Sequence, residues 1–116
     1  MSAEKDCLFC KISSGLIPAD IVLETESAIA FRDIDPKAPT HVLVIPRVHF
    51  ADVTELAQKN PNLAGELMEL ASEVAKLEGL TKGYRIVTNN GEDAGQSVAH
   101  VHFHVLGGRS LSWPPG

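Results

Sequence analysis

Three histidines alternate with apolar residues near the carboxyl end of the chain, in the segment His100-Val101-His102-Phe103-His104. Alternate residues of a β-strand point to the same face, so we expect the imidazoles on one face and Val101, Phe103 and Val105 on the other. A neutral imidazole can act as a nucleophile, a proton carrier or a metal ligand near pH 7. The segment therefore predicts chemistry on one face of the last strand and core packing on the other.

Two other interpretations of this face stay open. The histidines could be solvated or half-buried and hydrogen-bonded, without a chemical role, or they could bind a metal. Because a strand advances about 3.3 Å per residue, His100 and His104 would lie about 13 Å apart at Cα, whereas zinc–nitrogen bonds are only about 2 Å long. One metal bound by all three is therefore disfavoured, although two neighbours could share one. We expect the three to have different roles, with His102 as the nucleophile.

Attack by His102 requires that an acceptor hold its second ring nitrogen, so that the attacking nitrogen keeps its lone pair. A backbone carbonyl or another histidine could be that acceptor, and His41 is a candidate member of such a relay.

The loop before the histidine strand offers donors for an anion. These are the backbone N–H groups of Gly95-Gln96-Ser97-Val98, the Ser97 hydroxyl and the side-chain amides of Gln96 and Asn89. An ordinary polar loop without a ligand is the alternative.

The elements that must position these groups follow from the hydrophobic pattern. We predict a short helical turn at 7–12, a long helix at 61–78, and strands at 21–23, 28–32, 41–45, 83–88 and 97–106. Asn60 can cap the long helix, and its apolar stripe comprises Leu63, Leu67, Leu70, Val74 and Leu77. Successive strands with little helix between them favour an antiparallel sheet with the helix on one face, the α+β class.

Composition bounds the class of protein. The chain has 116 residues, a hydrophobic fraction of 44% and a formal net charge of -5, which fit one domain, 1–116, with a core. The negative charge argues against a nucleic acid polymer or an anionic membrane as partner, although a small phosphate needs only a few local donors. The polar segment 1–6 lacks the apolar region of a signal peptide, so we expect a cytoplasmic protein.

The histidine strand, its loop and its ending resemble a known family. The run from Gly95 to Arg109 is similar to the signature of the histidine triad superfamily, in the branch of histidine triad nucleotide-binding proteins. The same branch is resembled by Phe31-Arg32-Asp33-Ile34, Ala38-Pro39-Thr40-His41, Lys82-Gly83-Tyr84-Arg85 and Trp113-Pro114-Pro115-Gly116. Histidine at position 104 favours this branch over related nucleotidyl transferases, which carry glutamine there.

The resemblance implies a fold and an activity. The fold would be a five-stranded antiparallel sheet with one long and one short helix, and two chains would pair into a homodimer with a continuous sheet. The activity would be that of a purine nucleoside phosphoramidase, which cleaves the P–N bond of nucleoside phosphoramidates, and also acyl-adenylates, through a nucleotidyl-histidine intermediate. No catalytic metal would be required.

The resemblance also implies roles for single residues. His102 would attack the phosphorus, His104 would contact the phosphate, and Ser97 would reach towards the leaving group. Asp33 would accept hydrogen bonds from the ribose hydroxyls, and Ile34 would pack against the base. The phosphate oxygens would be bound by Asn89, Gly95, Gln96 and Ser97.

Cys7 and Cys10 form a Cys-x-x-Cys pair that, with His49 and His100, could supply the four ligands of a structural zinc site. Some members of the resembled family carry this set and others lack the cysteines. The alternatives are free thiols packed beside Leu8 and Phe9, a redox pair, and an exposed His49.

Three classes of function remain: the phosphoramidase, a nucleotide-binding regulator with little turnover, and a zinc-stabilised interaction module. Within the superfamily the runner-up is a dinucleoside polyphosphate hydrolase. The tail, 109–116, contains the single tryptophan, Trp113, and in the resembled branch such a tail lies near the partner's active site and shapes substrate choice.

Overall fold

One antiparallel sheet organises the computed structural model, which describes residues 6–116. Its strands are β1 (Ile21–Glu24), β2 (Ala28–Arg32), β3 (Thr40–Pro46), β4 (Tyr84–Val87) and β5 (Phe103–Gly107). The spatial order is β1-β2-β3-β5-β4, and each neighbouring pair is antiparallel. This confirms the α+β class and the five-stranded sheet. The polar segment 1–6 lies, except for Asp6, outside the described residues, and the pairing of two chains stays a prediction.

The chain has one helix more than we predicted. The helices are α1 (Leu8–Ser13), α2 (Val53–Lys59) and α3 (Pro61–Leu77). The seven-residue α2 was missed because only Leu56 is buried along it, too few for a periodic pattern, although Asp52 caps its start with a bond to Glu55 N. Within residues 6–116, none of the helices has the length and apolar character needed to cross a membrane.

The long helix α3 covers one face of the sheet. Asn60 caps it through a bond from Leu63 N, and Pro61 stands in its first turn, as predicted. The buried stripe includes Leu63, Leu67, Leu70 and Val74. Leu77 was wrongly included in that stripe, because it closes the last turn and is 60% exposed.

Alternation along the strands separates two apolar clusters. Val42 and Val44 of β3 and Phe103 and Val105 of β5 pack with α3. The opposite face forms a smaller cluster of Phe9, Ile29, Phe31, Leu43 and Ile45, beneath α1. A strand buried on both faces cannot change its register without moving side chains into the wrong cluster, so β3 fixes the register of both neighbours.

The last strand is shorter than predicted. It begins at Phe103 rather than at 97, so only His104 of the three histidines lies in β5. Residues 97–102 leave the sheet, and Val101 N donates to Phe50 O instead of to a strand neighbour. The division into two sides nevertheless persists, because Val101 packs in the α3 cluster while His100 and His102 contact Phe9 on the other side.

A two-pronged ion pair ties the sheet to the carboxyl end of α3. Arg32 Nη1 and Nη2 donate to the two carboxylate oxygens of Glu78 at 2.8 and 2.9 Å. This hydrogen-bonded pairing, more than any other influence, lowers the pKa of Glu78 below its ordinary value of 4.5. The ionised pair therefore stabilises the fold above that value, and its contribution is lost as pH falls through the lowered pKa.

Replacing Glu78 by glutamine should lower the free energy of unfolding by about 1 kcal/mol at pH 7, a modest figure because Arg32 is partly solvated. The difference from wild type should shrink as the pH approaches 3. Urea unfolding across that range measures it, with Glu73→Gln on the exposed side of α3 as the matched control. Equal pH dependence of the two variants would contradict the assignment.

Candidate active site and metal cluster

A cavity of about 540 Å³ lies on the α1 side of the sheet. This is within the usual size range of small-molecule sites. Its wall is mostly apolar and includes Leu8, Phe9, Ile12, Phe31, Leu43 and Val98. Its polar groups come from Asp33, Ser97, His102 and His104. The cavity therefore joins an apolar wall to a polar end that contains two of the predicted histidines.

Strand register brings Asp33, His41 and His104 together. His104 of β5 lies opposite Leu43 of β3, so His41, two residues earlier, is its diagonal neighbour on the same face. Asp33 follows β2 and continues the ladder, because its N–H donates to His41 O. Asp33 Oδ2 lies 3.4 Å from His41 Nε2, and His41 Nε2 lies 2.8 Å from His104 Nδ1.

A backbone donor fixes the direction of these bonds. The Lys37 N–H donates to His41 Nδ1 at 3.0 Å, so Nδ1 of the neutral ring carries no proton. His41 must then hold its proton on Nε2 and donate it to His104 Nδ1. His104 in turn carries its proton on Nε2.

Burial keeps both rings neutral at pH 7. It lowers the pKa of His41, and it lowers the pKa of His104 to about 4. The Nε2 of His104 is buried and has no hydrogen-bond partner among the described residues. A buried N–H without a partner costs roughly 1–3 kcal/mol, and a ligand oxygen beside it would remove that cost.

His102 has the opposite arrangement of protons. Its Nδ1 lies 2.8 Å from His100 O, and a carbonyl can only accept, so Nδ1 holds the proton and Nε2 keeps its lone pair. Burial lowers the pKa of His102, which favours this neutral form. The His102 and His104 rings lie 5.0 Å apart between centroids and both line the cavity. A lone pair and an N–H donor thus stand side by side.

This geometry decides between the alternatives for the histidine face. His100 and His102 are only 0% and 3% exposed, so a solvated face is excluded. The acceptor that holds His102 is a backbone carbonyl, and His41 bonds to His104 instead.

The loop from 89 to 97 presents fewer free donors than its composition suggests. The N–H groups of Gly95 and Gln96 donate to carbonyls of the loop itself, those of Glu92 and Gly91. The Gln96 side chain donates to Ala51 O and Val98 O and accepts from Gly91 N. Gln96 therefore holds the loop in shape in this structure.

Ser97 and Asn89 occupy different places. Ser97 is exposed and lines the cavity, whereas the half-buried Asn89 is not among the lining residues. Asp33 lines the cavity through a turn in which its Oδ1 accepts from Asp35 N, and Ile34 at the rim is fully exposed.

The wall provided by α1 was not predicted from the sequence. Phe9 is buried and packs edge-to-face against Phe31, His100 and His102, at centroid distances of 5.6, 5.9 and 5.0 Å. Leu8, Phe9 and Ile12 are apolar residues at spacings of one and three on a short helix, a signal too common to indicate a binding surface.

The four residues predicted as zinc ligands converge behind this wall. His100 Nδ1 lies 3.3 Å from Cys7 Sγ, 3.4 Å from Cys10 Sγ and 3.2 Å from His49 Nδ1. Cys10 Sγ also lies 3.4 Å from His49 Nδ1. Zinc bonds of about 2.3 Å to sulfur and 2.0 Å to nitrogen imply donor separations of roughly 3.3–3.8 Å in a tetrahedron. The four donors match that pattern.

Proton placement at His100 also suits a metal. Its Nε2 lies 2.9 Å from Pro46 O, so the proton is on Nε2 and the Nδ1 lone pair faces the cysteines. A ligating imidazole commonly donates its other N–H to a carbonyl in this way. Burial lowers the pKa of His100 to about 4, which keeps it available as a neutral ligand.

Asp33, His41 and His104 form a second group with ligand atoms within 4.8 Å of one another, but they suit a metal poorly. If His41 bound a metal through Nε2, its proton would move to Nδ1 and oppose the Lys37 N–H. The backbone therefore selects a hydrogen-bond relay at this group and a metal site at the cysteine cluster.

Comparison with known proteins extends over nearly the whole chain. Residues 14–111 match the HIT domain family. An uncharacterized HIT-like protein of Synechococcus elongatus is 49% identical over 112 residues, which cover 97% of this chain and 98% of the relative. A 14 kDa zinc-binding protein of Zea mays is 43% identical over 128 residues, with both chains covered completely.

A solved structure agrees in fold as well. The HIT family hydrolase from Legionella pneumophila superposes with a TM-score of 0.92 at 46% identity, covering 96% of this chain and 100% of that one. The likeness therefore includes the sheet, the cavity and the cysteine-bearing helix together.

Nitrogen NMR at pH 7 should detect the proton positions directly. We expect the Nδ1–H tautomer for His102 and the Nε2–H tautomers for His41 and His104, because one carbonyl and one amide impose them. Two-bond ¹H–¹⁵N correlations distinguish these forms. An Nε2–H tautomer at His102 would contradict the arrangement.

Proposed function

Because the chain belongs to the HIT domain family, we propose that it is a nucleotide hydrolase that cleaves the P–N bond of purine nucleoside phosphoramidates, and also acyl-adenylates. The observation that carries this proposal is the pairing of the His102 Nε2 lone pair with the unpartnered His104 N–H beside one cavity. A nucleophile beside a buried donor suits a phosphorus centre whose oxygens carry negative charge. The hydrolase from Legionella supports the general class of activity.

The cavity suits a nucleoside monophosphate in one orientation. Phe9, Phe31 and Leu43 offer an apolar surface to a purine, with Ile34 at the rim. The Asp33 carboxylate can accept from two vicinal ribose hydroxyls. This orientation directs the phosphate to His102, His104 and Ser97.

The chemistry then follows from the two imidazoles. The His102 Nε2 lone pair forms a bond to phosphorus, and the P–N bond to the amine breaks. Its electron pair leaves with the amine nitrogen, which takes up a proton, and Ser97 is placed to donate a hydrogen bond to this group. His102 becomes cationic, and its Nδ1–H bond to His100 O stabilises that charge.

Hydrolysis of the intermediate completes the cycle. Water attacks the phosphorus, the bond to His102 breaks, and the nucleoside monophosphate leaves. The His104 N–H donates to a phosphate oxygen throughout. His41 holds His104 in the tautomer that makes this donation possible, and is therefore a positioning residue.

We also propose that Cys7, Cys10, His49 and His100 hold a structural zinc ion. The donor distances and the orientation of His100 support this, as does the relative from Zea mays that is named a zinc-binding protein. A bound zinc would close a four-coordinate site and supply no open position for a substrate.

Replacing His102 by alanine should lower turnover of an adenosine phosphoramidate by about a thousandfold or more, because no other lone pair in the site faces the phosphorus. Rapid quenching and mass spectrometry of wild type should detect one nucleoside monophosphoryl group on a peptide containing residue 102.

Zinc content and AMP binding serve as controls for His102→Ala, and both should be retained. Turnover that survives the substitution would refute the nucleophile assignment. AMP binding without turnover in wild type would instead indicate a regulatory protein.

Purified protein that has not met a chelator should contain about one zinc per chain. Because a structural zinc contributes several kcal/mol, chelation should lower Tm by about 10 °C or more. The Cys10→Ser variant is the control, since its Tm should not respond to the chelator. A metal content far below one per chain in wild type would count against the site.

A further inference from the structure

The short helix α1 belongs to the cysteine cluster and to the cavity at the same time. Cys7 and Cys10 direct their sulfur atoms to His100 on one side. Leu8, Phe9 and Ile12 line the cavity on the other. The same six-residue helix is therefore a wall of the binding site and the carrier of two metal ligands.

Such a helix cannot hold its own position. Isolated helices shorter than about 12 residues are marginal in water, so α1 depends on contacts outside itself. Cys7 Sγ accepts from Cys10 N and caps the helix start, and the two thiols link it to His100 beyond the sheet edge. Thiol contacts to imidazoles are weak hydrogen bonds, whereas bonds to a common metal are strong and directional.

Phe9 connects the cluster to the cavity. Its ring packs edge-to-face on His100 behind it and on His102 and Phe31 beside it, and it is 4% exposed. Any movement of Cys7 or Cys10 moves Phe9, because one helical turn contains all three.

We infer that metal binding at the Cys7–Cys10–His49–His100 cluster clamps α1 in place and thereby raises the affinity of the cavity for the nucleoside part of its ligand, with Phe9 as the positioning residue. This inference rests on the proposed function, since it assumes that the cavity binds a nucleotide. It assigns to the cluster a control over ligand binding in addition to support of the fold.

The phosphate end should respond much less. His104 lies in β5, paired with β3 and β4, and its ring is held by His41. The His100 carbonyl that holds His102 is fixed by a separate contact, from His100 Nε2 to Pro46 O. These supports do not pass through α1.

Calorimetry with two ligands tests the clamp. AMP occupies both parts of the cavity, whereas ribose 5-phosphate lacks the base that would contact α1. We compare zinc-loaded protein with protein stripped by a chelator in the presence of a reductant, below the Tm of the stripped form. Stripping should raise the Kd of AMP by about tenfold and that of ribose 5-phosphate by less than about threefold, the former equivalent to the loss of a modest apolar contact.

Two variants keep the test decisive if stripped protein unfolds. Cys7→Ser retains a good helix cap but loses a metal ligand, so its AMP affinity should fall as in stripped protein. Phe9→Leu should keep its zinc and yet bind AMP several-fold more weakly. Leu70→Ala, on the opposite face of the sheet, is the control for general destabilisation and should leave both Kd values unchanged.

The outcomes separate this inference from the function on which it rests. Equal AMP affinity with and without zinc, or in Phe9→Leu and wild type, overturns the clamp. Equal weakening of both ligands also overturns it, because the effect would then not pass through the wall. Absence of AMP binding by zinc-loaded protein refutes the proposed function itself, and the clamp with it.

Discussion

The backbone N–H of Lys37 can only donate, and the candidate active site depends on that constraint. Its bond to His41 Nδ1 places the His41 proton on Nε2, and the short contact to His104 then places the second ring's proton on its far nitrogen. Independently, the His100 carbonyl holds the His102 proton on Nδ1. Three chemically identical side chains thus acquire different roles from two backbone groups, one a donor and one an acceptor.

The same reasoning separates the two groups of potential metal ligands. Both contain histidines within bonding reach of a common point. At the cysteine cluster a carbonyl takes the proton of His100 on the outer side, which leaves a lone pair for a metal. At Asp33 and His41 an amide occupies the outer nitrogen, which leaves a proton facing inward. Backbone polarity in the second shell of contacts decides between metal binding and proton holding where residue types alone do not.

Much of this arrangement could be predicted from the sequence, for identifiable reasons. Alternation around His102 and Phe103 separates the two sides of the sheet, and the stripe of α3 identifies its covering helix. The resemblance to the histidine triad family is confirmed at the level of the family, while the phosphoramidase branch, the site roles, the cytoplasmic location and the dimer stay predictions.

Other features depend on contacts between distant parts of the chain. The cysteine at position 7 meets His100 across 93 residues, and Gln96 closes its loop through Ala51, so neither arrangement has a local pattern. The early end of regular pairing before Phe103 arises because His100 turns towards the cysteines. The role of α1 as a cavity wall is missed for the same reason, since six residues contain too little periodicity to identify the surface that they bury.

The central claim is that a lone pair on His102 and an N–H on His104 face one phosphate. A crystal structure with AMP tests it most directly. The account predicts phosphorus at about 3.0–3.5 Å from His102 Nε2, a near-attack distance, and a phosphate oxygen within about 3.1 Å of His104 Nε2. A phosphate bound away from both nitrogens, with the cavity otherwise intact, would contradict it.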